Sequence, residues 1–263
     1  MRWNHCLAVG ALSVALAACT TSPTGRSQLT LMSDDQLDQM GAQAFSQYQQ
    51  QRTTVDGAPL RLAQCVTREI VATLPAELQQ DNWQVRVFED DSANAFALPG
   101  GYVGVNTGLL EITDNQDQLA AVIGHEIGHV LAHHANERAS TQSATNLGLS
   151  VLSSAAGLEG AGGQQVMAAL GMGAQYGILL PFSRSHESEA DTIGLRLMAK
   201  AGFDPRASVA LWQNMEQAGG GQPPEWMSTH PSHGNRIAGL EQGMPEALRL
   251  YQQAGRAPNC GQP

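Results

Sequence analysis

"AAVIGHEIGHVLAHH", residues 120–134, carries four of the chain's eight histidines and sets a glutamate directly after the first of them. The run has no proline and its apolar positions recur at helical spacing, so it predicts a helix. Residues four apart on a helix differ by about 40° around its axis. His125 and His129 therefore project from the same side, one turn apart, as two imidazoles must to bind one ion. Glu126 lies on the flank of that face, near enough to touch a metal-bound water without ligating the metal. The neighbours Val122, Ile123, Ile127 and Val130 are apolar. Burying two histidines and a glutamate among them without a partner costs on the order of several kcal/mol. A bound ion explains the segment better than an accidental polar face.

Two ligands do not make a site, and the rest of this helix does not supply a third. His133 drifts about 80° from the direction of His125, and His134 lies further round. Both are expected at the surface or behind the ligands. The zinc pattern that takes a third histidine from the same segment needs Gly at 132 and His at 135, where this chain has Ala132 and Ala135. The best source is "SRSHESEAD", residues 183–191. Glu187 and Asp191 share a helix face, whereas Glu189 points about 200° away from Glu187. Only Glu187 or Glu189 can face the metal. Glu187 has the advantage that Asp191 stacks beside it and can accept the other N–H of a ligand imidazole. Glu189 is expected on a solvated acidic face.

The surrounding chain bounds what such a site can serve. Its 263 residues suffice for one substantial domain, and aromatics at 5% with 28 glycines suggest a helix-rich core of small aliphatic side chains. A net charge of −10 with no basic stripe argues against nucleic acid. Ser33 opens "SDDQ" as a capping box before a helix with Leu37, Met40, Phe45 and Tyr48 at helical spacing. A second helix is predicted over Leu60–Leu74, stopped by Pro75. "WQVRVFED", 83–90, alternates as a strand, and "NAFALPGGYVGVNTGLL", 94–110, gives two short strands around Pro99-Gly100-Gly101. From Asp114 the pattern is helical through Ser140, with Thr113 or Asp114 as N-cap. Residues 140–180 are rich in Gly, Ala and Ser with scattered Met, and are expected to form poorly packed helices acting as a mobile lid. Helix continues to about Gln217, followed by a Gly/Pro loop at 218–224 and a short C-terminal helical part. The fold class is α+β, mainly helical, with a small sheet before the histidine helix.

The N-terminus reads as a targeting segment. Arg2 precedes an apolar run from Cys6 to Ala18 that is too short to span a membrane comfortably. "LAAC", residues 16–19, resembles the bacterial lipobox, in which cleavage precedes the Cys and the thiol is acylated. An ordinary signal peptide with a chance Cys is the alternative. With Thr20 after Cys19, the resemblance implies outer-membrane sorting. The expected organisation is a signal peptide at 1–18, a lipidated Cys19 with a tether at 19–32, and one domain at 33–263. Removing the signal loses Arg2 and shifts the formal charge from −10 to −11. Cys6 is then discarded and Cys19 lipidated, leaving Cys65 and Cys260. In an oxidising periplasm these two are disulfide candidates, with separate free thiols as the alternative.

"HEIGH", "SRSHESEAD" and "STHPSHGNR" (228–236), in that order, resemble zinc metallopeptidase family 48, the gluzincins of HtpX and CAAX prenyl protease type. "NAFALPGG" and "TGRSQL" resemble in particular its periplasmic lipoprotein proteases of LoiP and BepA type. The resemblance implies a zincin-like domain with one zinc held by His125, His129 and Glu187, and Glu126 as base. It implies that Asn94, Ala95, Phe96 and Ala97 belong to an edge strand on which an extended peptide can pair. His230 matches the family's His-Pro histidine, a stabiliser of the tetrahedral intermediate or a self-inhibiting fourth ligand. Arg236 matches a polar residue near the same site. The membrane helices and tetratricopeptide repeats of some members are not found. The resemblance thus implies a lipid-anchored endopeptidase at the periplasmic face of the outer membrane, acting on misfolded or unassembled envelope proteins, with assembly machinery as a further partner. Two other readings fit the motifs: a zinc-stabilised chaperone or adaptor that rarely cleaves, and an amidase of cell-wall peptides. Intact Glu126 disfavours the first, and the edge strand disfavours the second.

Overall fold

The computed structural model describes residues 19–79, 83–155, 182–218, 230 and 236–263. These fall into two compact units, one of residues up to Ser33 with those from His133 on, the other of Asp34–Ala132 with the residues after Pro181. The expected signal peptide, the lid residues beyond 155, the loop at 219–224 and most of "STHPSHGNR" lie outside the described residues.

In the first unit, β1 (Cys19–Thr21) pairs antiparallel with β2 (Ser27–Leu29) around Gly25. The segment expected to be a tether is thus a hairpin. It is tied to helix α6 (His134–Ala155). Arg26 donates both guanidinium nitrogens to Glu137 at 2.6 Å, Gln28 donates to the same carboxylate at 3.2 Å, and the Leu31 N–H donates to Ser140 at 2.8 Å. A bidentate pair of this kind fixes direction as well as distance. "TGRSQL" therefore has a structural use.

The second unit carries a four-stranded sheet in the order β3-β4-β6-β5: β3 (Thr54–Val55), β4 (Gln84–Phe88), β6 (Tyr102–Asn106) and β5 (Ala95–Leu98). β4 and β6 are parallel and the other pairs antiparallel. Side-chain alternation splits the sheet into two chemically distinct faces. Val85, Val87, Val103, Val105, Ala95 and Ala97 join the aliphatic core with Leu62, Val66 and Ile70 of α2 (Ala58–Val71). The opposite face stacks Phe88, Phe96 and Tyr102 against Phe45 and Tyr48 of α1 (Asp34–Gln51). Gly104 faces that aromatic layer, where a Cβ would stand 2.3 Å from the Phe96 ring. The turn between β5 and β6 holds Gly100 and Gly101 at φ 82° and 83°, positions that need glycine. β5, which holds residues 95–97 of the expected edge strand, and β3 are the two outer strands of this sheet.

After α3 (Ala76–Gln79) and α4 (Thr107–Ile112), helix α5 (Gln116–Leu131) carries the histidine motif and lies along β5. Its N-cap is Asn115, not Thr113 or Asp114. The Asn115 carboxamide oxygen accepts the N–H groups of Asp117 and Gln118 at 3.0 Å, while Asp114 bonds back to the Gln118 side chain. Three consecutive cap-forming residues made the start ambiguous, and the Gln118 side chain decides it. The helix also stops earlier than predicted. Ala132 caps it and His133 turns left-handed at φ 51° before α6 begins. No glycine or proline announces this break.

Helix α7 (Arg184–Ala201) opens at Ser183, whose hydroxyl accepts the His186 N–H, and closes at Gly202 with φ 90°. α8 (Ala207–Ala218) and α9 (Arg236–Ala254) complete the unit. The C-terminal helix is 19 residues long, longer than the short element predicted, because it continues through Gly239, Gly243 and Pro245. Cys65 and Cys260 form the expected disulfide, Cα atoms 5.5 Å apart and 195 residues distant in sequence. Gln116 pins the same tail, donating to Pro258 O and accepting from the Cys260 N–H, both at 2.7 Å. None of the described helices is long and apolar enough to cross a membrane.

Candidate metal centre

The centre depends on how closely α5 and α7 approach. Gly124 and Gly128 of α5 face Gly194 and Ala190 of α7, backbone against backbone. A Cβ on Gly194 would stand 2.6 Å from the His125 nitrogen, and one on Gly128 would stand 3.0 Å from Ala190 O. Glycine at these positions lets Glu187 come within reach of both histidines. Neither residue is polar, and a motif search for ligands passes over Gly194.

His125, His129, Glu187 and His230 are all buried, and one ligand atom from each lies within 4.8 Å of the others. His125 Nε2 is 3.1 Å from His129 Nε2 and 3.4 Å from His230 Nδ1. Glu187 places one oxygen 3.4 Å from His129 and 3.1 Å from His230, and its other oxygen 3.4 Å from His125. Four nitrogen and oxygen donors about 2.0–2.2 Å from one tetrahedral zinc would stand about 3.3–3.6 Å apart. The separations of 3.1–3.4 Å lie at or just under that figure. Three imidazole nitrogens packed at such distances are poor hydrogen-bond partners for one another, whereas one cation satisfies them all.

Asp191 and Arg236 set the orientation and charge of this group. Asp191 lies 2.9 Å from His125 Nδ1, which leaves Nε2 as the lone-pair atom facing the cluster. Arg236 donates to Glu187 at 3.0 Å and to Asp191 at 2.6 Å, and its guanidinium lies 4.0 Å over the Trp212 ring. Burial and the Arg236 charge push the His125 imidazole down, but hydrogen bonds to Asp191 and Glu187 outweigh them and bring it to about 9. Burial pushes His129 well below the usual imidazole range despite its contact with Glu187. Burial raises the Glu187 carboxyl, yet bonds from the three histidines hold it far below the usual carboxylate range. Glu187 and Asp191 thus favour a positive charge among the donors, which His125 carries when no metal does, while His129 is held neutral as a ligand imidazole must be.

Glu126 is buried beside this group, 3.5 Å from His230 Nε2. The structure therefore brings together all seven residues singled out in the three motifs: His125, Glu126, His129, Glu187, Asp191, His230 and Arg236. It keeps His133 and His134 out of the cluster. His133 is exposed, while His134 is fully buried, so of the two places expected for it the surface is excluded. Glu189 is buried as well, at 5% exposure, so its predicted solvated face is corrected. α7 is covered on more than one side. Sequence reading missed Phe182, whose ring lies 4.0 Å from that of His129 and 5.2 Å from that of His230, tilted by 33° and 31°. Its place directly before the "SRSHESEAD" cap was the available signal.

The sequence profile of Peptidase family M48 matches residues 61–243, which contains every residue of this centre. Among curated relatives, the mitochondrial metalloendopeptidase OMA1 of Bos taurus is 40% identical over 70% of this chain and 36% of its own length. That of Homo sapiens is 34% identical over 89% of this chain and 47% of its own. The beta-barrel assembly-enhancing protease of Yersinia pestis is 34% identical over 57% of this chain and 32% of its own. The chain thus spans a third to a half of the length of these relatives. With a matched profile over most of its length and a buried donor set of the size zinc requires, the chain belongs to peptidase family M48, the zinc metallopeptidases.

Proposed function

We propose that this protein is a zinc-dependent endopeptidase that hydrolyses peptide bonds of envelope proteins, in quality control of misfolded or unassembled chains. The observation that carries the reading is the buried Glu126, which touches His230 at 3.5 Å, beside the clustered donors of His125, His129 and Glu187. When bound by His125, His129 and Glu187, zinc supplies Lewis acidity for the scissile carbonyl and brings the pKa of a water to about 7. Glu126 takes the proton of the attacking water and passes it to the leaving amine. Asp191 keeps His125 in the tautomer that ligates, and Arg236 holds Glu187 and Asp191 in place. β5, a free edge along α5, offers backbone pairing to an extended segment of substrate.

His230 adds a regulatory reading. With its Nδ1 among the donors, the set is a closed one, and catalytic zinc sites keep one position open. The described arrangement is then a resting state, which His230 must leave before a substrate carbonyl enters.

The "LAAC" segment and the Cys65–Cys260 disulfide support a lipid anchor on Cys19 and an oxidising compartment, the periplasmic face of the outer membrane. The Yersinia relative's name, a beta-barrel assembly-enhancing protease, supports beta-barrel assembly as the setting of its substrates. The test is casein cleavage by the purified chain and by Glu126→Gln, with zinc measured in both. About one zinc per chain in each, and cleavage only in the unsubstituted protein, is expected. Zinc without cleavage even after His230→Ala would favour the chaperone or adaptor reading.

A further inference from the structure

A groove of about 470 Å³ runs between α7 and α9, and Glu187, Asp191 and Arg236 form part of its wall. It extends from Arg184 to the Arg196–Glu246 pair, roughly 18 Å along α7. That length accommodates about five extended residues. Gly239 lies on the α9 side, and a Cβ there would meet nothing within 4 Å. Backbone rather than side chain thus faces this part of the groove.

The charges in the groove do not cancel locally. Arg236 is committed to Glu187 and Asp191, and Arg196 is bonded to Glu246 at 3.0 Å. These contacts use all three carboxylates of the lining. Arg184 is exposed and has no ion pair among the described residues. Ser188, one turn further on, adds a hydroxyl on the same side. A guanidinium forms its best hydrogen bonds with a carboxylate, which it can hold through two parallel N–H groups.

We propose that this groove is a substrate subsite for a carboxylate, held by Arg184, and that it selects peptides with an acidic side chain or a free C-terminus there. The assignment rests on the endopeptidase reading. Arg184 precedes the proposed ligand Glu187 by three residues, so their Cβ atoms are about 5–6 Å apart. Allowing for the reach of the Arg184 side chain, a carboxylate bound there belongs within about three residues of the bond being cut, because an extended chain advances about 3.3 Å per residue.

The test uses the zinc-loaded full chain with quenched fluorescent peptides in matched pairs. One series exchanges Glu for Gln at each of the three positions on either side of the scissile bond; the other exchanges a C-terminal acid for its amide. One position is expected to favour the carboxylate about tenfold in kcat/KM, as one charge-assisted hydrogen bond would give. Arg184→Gln should bring that ratio to about one, and Arg184→Glu should invert it. Gly239→Leu, which fills the groove, should raise KM for both members of the pair. The same pairs are also measured by fluorescence anisotropy on Glu126→Gln, so that the preference is read without turnover. No preference for the carboxylate in either assay, or one that survives Arg184→Gln, overturns the subsite. An Arg184-dependent preference in binding, with neither peptides nor casein cleaved by the unsubstituted chain, supports the subsite and overturns the endopeptidase reading.

Discussion

Replacing Gly194 by alanine tests the physical basis of the metal centre without touching a ligand. The added Cβ would stand 2.6 Å from the His125 nitrogen and 2.8 Å from the Gly124 carbonyl carbon and the His125 Cα. Ordinary contact begins at 3.4 Å, so α7 must retreat from α5 by 3.4 − 2.6 = 0.8 Å. Glu187 moves with α7, and its 3.4 Å separations from His125 and His129 open beyond what one zinc spans. Overpacking of this kind costs about 1–3 kcal/mol. For a domain of this size that lowers Tm by about 2–12 °C. The effect on function is larger, since misplacing a reacting group by about 1 Å can cost about 100-fold. Gly128→Ala, where the clash is 3.0 Å with Ala190 O, should lose less. Zinc affinity by chelator competition, Tm and peptide cleavage are measured on all three proteins. Gly194→Ala binding zinc and cleaving like the unsubstituted chain, or the reverse ranking of the two variants, would refute the close-approach argument.

Four further outcomes are expected. His230→Ala should retain zinc and cleave faster; slower cleavage would instead make His230 a stabiliser of the tetrahedral intermediate. Asp191→Asn should weaken zinc by about 10–100-fold through loss of the His125 partner, and unchanged affinity in chelator competition would contradict that role. For the disulfide, the 195-residue separation gives a chain-entropy contribution of about 5 kcal/mol. Cys65→Ser should accordingly lower Tm by about 10–20 °C; a shift under about 2 °C would show the bond absent or idle. Finally, hydrogen bonds from Arg206 hold the Asp204 carboxyl below its ordinary 3.8. A folded value below the unfolded one gives stability that is present above pH 3.8 and is lost as pH falls through the folded value. Asp204→Asn should therefore flatten the acid limb of a stability–pH curve, and an unchanged limb would refute the assignment.

The sequence made the chemistry of the centre legible because ligand spacing on a helix is local geometry. His125, Glu126 and His129 follow from the turn of one helix, and Glu187 with Asp191 from another. The hairpin strands were legible for the same reason: alternation and a Pro-Gly-Gly turn are local signals, whereas an edge position for residues 94–97 was implied only by the family resemblance. What escaped depends on contacts between elements. The close approach at Gly194 needs the neighbouring helix, the break at His133 carries no glycine or proline, and the Asn115 cap is chosen by a side-chain bond from Gln118 to Asp114. Glu189 was placed at the surface, and His134 was left between the surface and a place behind the ligands, because helical angle gives direction but not what lies in that direction. Phe182 was overlooked because its one signal was its place before the Ser183 cap, and a lone aromatic has no spacing to add to it.

The position of the disulfide has a consequence for how the molecule survives damage. Cys65 and Cys260 close a covalent ring, and His125, His129, Glu187 and His230 all lie inside it. One backbone cut anywhere between those cysteines, by this protease or by a neighbour, opens the ring but does not release a fragment. Both pieces stay on one molecule with every donor aboard, so a nicked chain can keep its ion while the packing between α5 and α7 holds. Reduction of that single bond turns the same nick into separation.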